Sequence, residues 1–97
     1  MSVSLSTHVL DTAEGLPAAG VRIELFLDGE LVSWGETNAD GRVSELGIDL
    51  VPGLYELVFH PPSRFFHRVA YQILLDDGHY HVPLLVSPFG CASYRGS

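Results

Sequence analysis

The sequence predicts an all-β fold, an antiparallel β-sandwich of seven or eight short strands forming one domain over residues 1–97. Three observations lead there. Strong turn signals recur at close intervals, as Asp28-Gly29, Asp40-Gly41, Pro52-Gly53 and Asp77-Gly78. Between them, apolar and polar residues alternate with a period of two, the pattern of a half-buried strand. No window carries the periodicity of a long amphipathic helix.

Strands are expected over residues 3–10, 21–28, 31–37, 42–46, 54–60, 67–75, 79–86 and 91–95. In the first, Val3, Leu5 and Val9 form a core row with Thr7 between them, and His8 falls on the opposite face with Ser4, Ser6 and Leu10. The segment Thr12–Gly20 follows as a loop, because Gly15, Pro17 and Gly20 break any helix there. The alternation is clearest next: Val21, Ile23, Leu25 and Leu27 share one face, and mostly polar residues share the other. The strands at 31–37, 42–46 and 54–60 are short runs bounded by the turn signals. Val69, Tyr71, Ile73 and Leu75 repeat the pattern, as do Tyr80, Val82, Leu84 and Val86. This last row leaves His79, His81, Pro83 and Leu85 facing outward, a mixture of imidazoles and apolar groups that suits a pocket wall or a subunit contact.

Composition excludes several classes of function. Twelve acidic residues face five basic ones, all arginine, for a net charge of −7. Nucleic acid or an anionic membrane is excluded as main partner, since both need a basic patch. Without lysine there is no side-chain amine for a Schiff base. The apolar run near Val82–Phe89 falls far short of the ~20 residues that span a bilayer, and the first residues lack the basic flank of a signal peptide. The lone Cys91 excludes an intrachain disulfide and a cysteine-based zinc site. The expectation is a soluble, cytoplasmic domain without cofactor.

Few residues remain to carry chemistry. His8 is either a plain surface histidine or a general base, its unperturbed pKa of about 6.5 lying close to working pH. His79 and His81 share one strand face, but a catalytic zinc needs a third protein ligand and none stands at a recognisable spacing. Arg42, just past the turn Asn38–Gly41, is a solvated side chain or a planar clamp for an anion. Tyr94, Arg95, Gly96 and Ser97 form a tail that makes sense if it folds into a site. Cys91 has no paired base and reads as a small strand residue. Trp34 and the Phe65-Phe66 pair read as core or interface packing, and His60 and His67 as surface-loop residues.

The chain resembles the 5-hydroxyisourate hydrolases, the enzyme branch of the transthyretin-like proteins. Three segments carry the resemblance: Leu5–Thr12 with Gly15, Pro17-Ala18 and Gly20-Val21; Thr37–Arg42; and His79–Pro88 with the terminal Tyr94-Arg95-Gly96-Ser97. The resemblance implies two four-stranded sheets, a homotetramer, and active sites in a channel where dimers meet. It places His8, Arg42, His81 and the Tyr94–Ser97 tail around 5-hydroxyisourate, whose cyclic amide ring is opened by a water activated without metal. In that reaction His8 and His81 position and deprotonate the water, Arg42 holds the anionic substrate and its oxyanion, and Tyr94, Arg95 and Ser97 close the pocket. The chain departs from its relatives in a short connection before Val69, in His67 after the two phenylalanines, and at Cys91-Ala92-Ser93. Two other readings stay open: a non-catalytic small-ligand binder of the transthyretin type, and an interaction module whose Pro83 and Leu85 serve only assembly.

Overall fold

The computed structural model describes residues 2–96. Nine strands run in the order β1 (Val3–Asp11), β2 (Leu16–Pro17), β3 (Arg22–Leu27), β4 (Glu30–Glu36), β5 (Arg42–Leu50), β6 (Gly53–His60), β7 (Val69–Leu75), β8 (Gly78–Ser87) and β9 (Gly90–Ser93). They form two sheets. One has the order β4-β3-β6-β7 and is antiparallel throughout. In the other, β8 follows the whole of one edge of β1, β9 pairs with β8, and β5 and the two-residue β2 divide the remaining edge of β1.

The expected pair of four-stranded sheets is present, with β2 as a stub added to the sheet of β1, β5, β8 and β9. One expectation is corrected: β1 and β8 are parallel, in register from Val3↔Gly78 to Asp11↔Val86. No short turn joins these strands, so local turn chemistry does not set their relative direction. β5 runs four residues beyond the predicted strand, to Leu50. Register shifts against β1 and a positive φ of 53° at Asp49 break the period of two that would have marked it.

The core lies between the sheets and is built from the rows the alternation marks. Val3, Leu5, Val9, Val82, Leu84 and Val86 meet Ile23, Leu25, Leu57, Phe59 and Leu75. Thr7, inside this row, is fully buried and donates its hydroxyl to Val82 O at 2.7 Å, so the polar group is not orphaned. His60 lies within the expected strand 54–60 and not in a surface loop: it ends β6 and contacts Glu24 Oε1 at 2.7 Å. Trp34, expected in packing, is 53% exposed on β4 with the Arg22 guanidinium 4.3 Å from its ring centre. Phe65 is also exposed and packs edge-on against Phe66 and Phe89.

A fold of this size has little stability in reserve, and Phe59 is one of its largest fully buried side chains. Phe59→Ala is expected to cost about 3–5 kcal/mol by the cavity it leaves, measured as a lower urea midpoint with unchanged slope.

Candidate active site

Three backbone features bring the outward residues together. The first is the parallel β1–β8 ladder. It sets Ser4 opposite His79, Ser6 opposite His81 and His8 opposite Pro83. The rings of His8 and His81 are diagonal neighbours on the outer face, with centroids 6.5 Å apart. Ser6 lies between His81 and His79, its Oγ 2.8 Å from His81 Nδ1 and 2.9 Å from His79 Nε2. The Oγ of Ser4 is 2.7 Å from His79 Nδ1.

The second feature is the turn before β5. Asn38 Oδ1 accepts the amides of Asp40 and Arg42, and Gly41 N donates to Asn38 O at 2.9 Å. Asparagine first and glycine fourth are the residues such a turn favours. Gly41 has a φ of +73°, and a Cβ there would meet Val9 O at 2.6 Å. Only glycine lets the turn close onto β1, where Val9 N donates to Gly41 O. Arg42 therefore stands opposite His8. Its side chain is exposed and forms no ion pair among the described residues.

The third feature is the tail. β8 and β9 pair from Ser87↔Gly90 to Leu84↔Ser93, the ladder is then interrupted, and it resumes in the same register at His81↔Gly96. The interruption falls at Pro83, which has no N–H to offer its neighbour. Ser93 Oγ instead donates to Pro83 O at 2.8 Å, and Gly96 N donates to His81 O at 2.6 Å. A Cβ on Gly96 would lie 2.8 Å from His81 Cδ2, so glycine is required for this approach.

The structure thus brings His8, Arg42, His81 and Gly96 together. Arg95 is seated elsewhere, its guanidinium 4.2 Å from the centre of the Tyr80 ring. With Tyr94 it lines a cleft of about 290 Å³ between the sheets, beside Tyr71, Ile73, Leu75 and Val82. Ser97, the last residue of the expected tail, lies outside the described residues. Sequence reasoning missed Ser4 and Ser6 and gave His79 no role. The signal was a shared period of two in Ser4/Ser6 and His79/His81, legible only once β1 and β8 are known to lie side by side.

Electrostatics give His81 a defined state. Burial pushes its pKa below the ordinary histidine value, and the charges of Arg42, His8 and His79 push it further the same way. The ring is therefore neutral near pH 7 and available as a base. Its Nδ1 faces Ser6, and among the described residues no hydrogen bond reaches Nε2. The Cys91 thiol is pushed up by burial, which makes it a poor nucleophile. Among the described residues no group of three His, Cys, Asp or Glu side chains is placed to hold a metal ion.

The two-sheet β-sandwich is of the transthyretin-like class, and it carries three imidazoles and a guanidinium on its outer face. The chain belongs to the HIUase/Transthyretin family, whose model matches residues 5–96. It is 44% identical to the 5-hydroxyisourate hydrolase 2 of Rhizobium meliloti (strain 1021), over 96% of this chain and 95% of that protein. That alignment extends over 114 positions where this whole chain has 97 residues, so the relative carries residues this chain lacks. The Klebsiella pneumoniae 5-hydroxyisourate hydrolase structure superposes with a TM-score of 0.90, 36% identity and full coverage of both chains. Transthyretin from Sparus aurata shares the fold, with a TM-score of 0.83 and 23% identity over 96% of each chain.

Pro83→Ala restores an amide opposite Tyr94 and is expected to close the gap in the β8–β9 ladder. The measurement is amide exchange at Tyr94, which should slow relative to the parent chain.

Proposed function

We propose that the chain hydrolyses the cyclic amide of 5-hydroxyisourate, a step of urate breakdown in purine catabolism, with His81 as general base. Relatives and a structural neighbour matched over nearly their whole length bear the name of this activity. The observation that carries the mechanism is the His81 ring: Nδ1 is engaged by Ser6, Nε2 is unengaged among the described residues, and the ring centre lies 6.5 Å from that of His8, the strand partner of Arg42.

In this reading His81 Nε2 takes a proton from a water positioned with the help of His8, and the oxygen attacks the ring carbonyl. The oxyanion that develops is held by the Arg42 guanidinium, which also binds the anionic substrate. As the C–N bond breaks, the proton passes from Nε2 to the leaving nitrogen. Gly96 closes the pocket with its backbone. Tyr94 and Arg95 act as anchors, with Arg95 on Tyr80 holding the tail against His81. We place the working site between copies of this chain in a homotetramer in the cytoplasm. The half-buried Leu10 and Leu85 beside His8 supply an apolar rim for that contact. Among the described residues no helix is long and apolar enough to cross a membrane.

The test is ultraviolet decay of 5-hydroxyisourate, generated in place from urate by urate oxidase, with and without the protein. Accelerated decay is expected, and His81→Ala should lower turnover by about 10²–10⁴-fold. Decay at the spontaneous rate from a folded chain would favour a non-catalytic binder of the transthyretin type.

Activity should also fall as pH drops through the His81 pKa, with the acid limb below the ordinary histidine range. Arg42→Gln removes a charge that disfavours the imidazolium, so the limb of its residual activity should move to higher pH. A limb that stays in place in the variant would show that another group titrates. Deleting residues 94–97 should abolish turnover and leave the oligomer folded, as checked by light scattering and circular dichroism.

A further inference from the structure

His79 and Ser4 have no part in the chemistry described above, yet with Ser6 they form an unbroken line to its base. The line runs from Ser4 Oγ to His79 Nδ1, from His79 Nε2 to Ser6 Oγ, and from Ser6 Oγ to His81 Nδ1. Every link is 2.7–2.9 Å. Its inner member, Ser6, is 9% exposed, and its outer member, His79, is exposed.

We propose that Ser6, His79 and Ser4 form a proton-conducting chain that lets His81 accept a proton at Nε2 while releasing one from Nδ1 toward solvent. The proposal rests on the reading of His81 as the base. Ser6 and His79 are positioning residues in it, acting through His81 without touching substrate.

The hydrogen-bond inventory allows two complete polarities. A neutral imidazole has one donor and one acceptor nitrogen, and a hydroxyl both donates and accepts. In the first polarity His81 Nδ1–H donates to Ser6 Oγ, Ser6 O–H donates to His79 Nε2, and His79 Nδ1–H donates to Ser4 Oγ. In the second, every arrow is reversed. Both satisfy all the members, and they differ only in whether His81 Nε2 is a bare base or carries a proton.

The attacking water supplies the change. Its proton goes to His81 Nε2 as its oxygen bonds to the carbonyl carbon. The Nδ1 proton passes to Ser6, the Ser6 proton to His79 Nε2, and the His79 Nδ1 proton to Ser4, whose own proton leaves to solvent. One proton enters the line and one leaves, and His81 remains neutral throughout. When the C–N bond breaks, Nε2–H protonates the leaving nitrogen, and a proton entering at Ser4 returns the line to its first polarity.

The surroundings of His81 favour such a device. A full imidazolium would form in a partly desolvated place beside Arg42, which disfavours it. Moving charge through the line avoids that state. Cross-strand order also supports the assignment, because Ser4↔His79 and Ser6↔His81 are direct partners in the β1–β8 ladder, so the links need no unusual side-chain reach.

The experiment uses the full chain and His79→Gln, an exposed position where folding is not at risk. Glutamine can bond to Ser6 but cannot pass a proton on. The expected result is a kcat lower by roughly 10–100-fold, the size of losing a partner that orients a histidine, with KM unchanged. Added imidazole should then raise the rate of the variant and leave the parent unaffected. Ser6→Ala should lose as much, and the double variant no more than either alone, since both cut one line. Parental kcat in His79→Gln, a loss that imidazole does not relieve, or additive losses would each overturn the proposal. His81→Ala separates the two readings. Full activity there removes the base itself, whereas a dead His81→Ala beside a parental His79→Gln removes only the line.

Discussion

The parallel pairing of β1 with β8 is the constraint on which the rest of the structure depends. It joins two segments from opposite ends of the sequence along nine consecutive residue pairs. On its inner face it supplies one wall of the core, as Val3, Leu5 and Val9 beside Val82, Leu84 and Val86. On its outer face the same register assembles Ser4, Ser6, His8, His79 and His81. Because side chains alternate with a period of two, a slip of one residue would bury the imidazoles and expose the valines and leucines. The apolar burial that stabilises the sandwich is therefore also what fixes the placement of the imidazoles, and no separate binding energy is needed to hold them in line.

The charge balance of the chain shows how local the site is. The molecule carries a net charge of −7, yet no acidic side chain pairs with Arg42 among the described residues. The ion pairs that do form, Arg22–Glu24, His60–Glu24 and Arg68–Glu56, lie on the other sheet. A guanidinium beside two imidazoles is a small positive field on an acidic body. In the proposed mechanism it attracts an anion at close range, and after burial it helps to keep His81 in its neutral form.

Much of this was legible in the sequence, and what was not has a common physical reason. Strand positions and the inward and outward faces followed from alternation, which is local. His8, His81 and Arg42 could be set on strands and off the core in the same way. What alternation cannot show is which strands are neighbours. The β1–β8 direction, the stub β2, the extension of β5 and the serine links all depend on pairings between distant segments. Arg95 illustrates the same limit from the other side. The family resemblance grouped it with His81, yet the guanidinium rests on Tyr80 and lines the cleft between the sheets.

Pro83 and Gly96 together explain why a tail of this composition belongs against His81. Pro83 removes one donor from the edge of β8, so the β8–β9 ladder opens for two residues and closes again at Gly96. The register sets Arg95 opposite Val82, on the face of Tyr80 that its guanidinium covers, and the closure brings Gly96 N to His81 O. Gly96 is then close enough to His81 Cδ2 that any side chain would displace the ring. The imidazole is held on one edge by the Ser6 hydroxyl and on the other by bare backbone. A ring fixed on two sides has one remaining nitrogen to offer, and its direction is set before any ligand arrives. This is the preorganisation that general-base chemistry needs, and here it comes from a missing N–H and a missing Cβ.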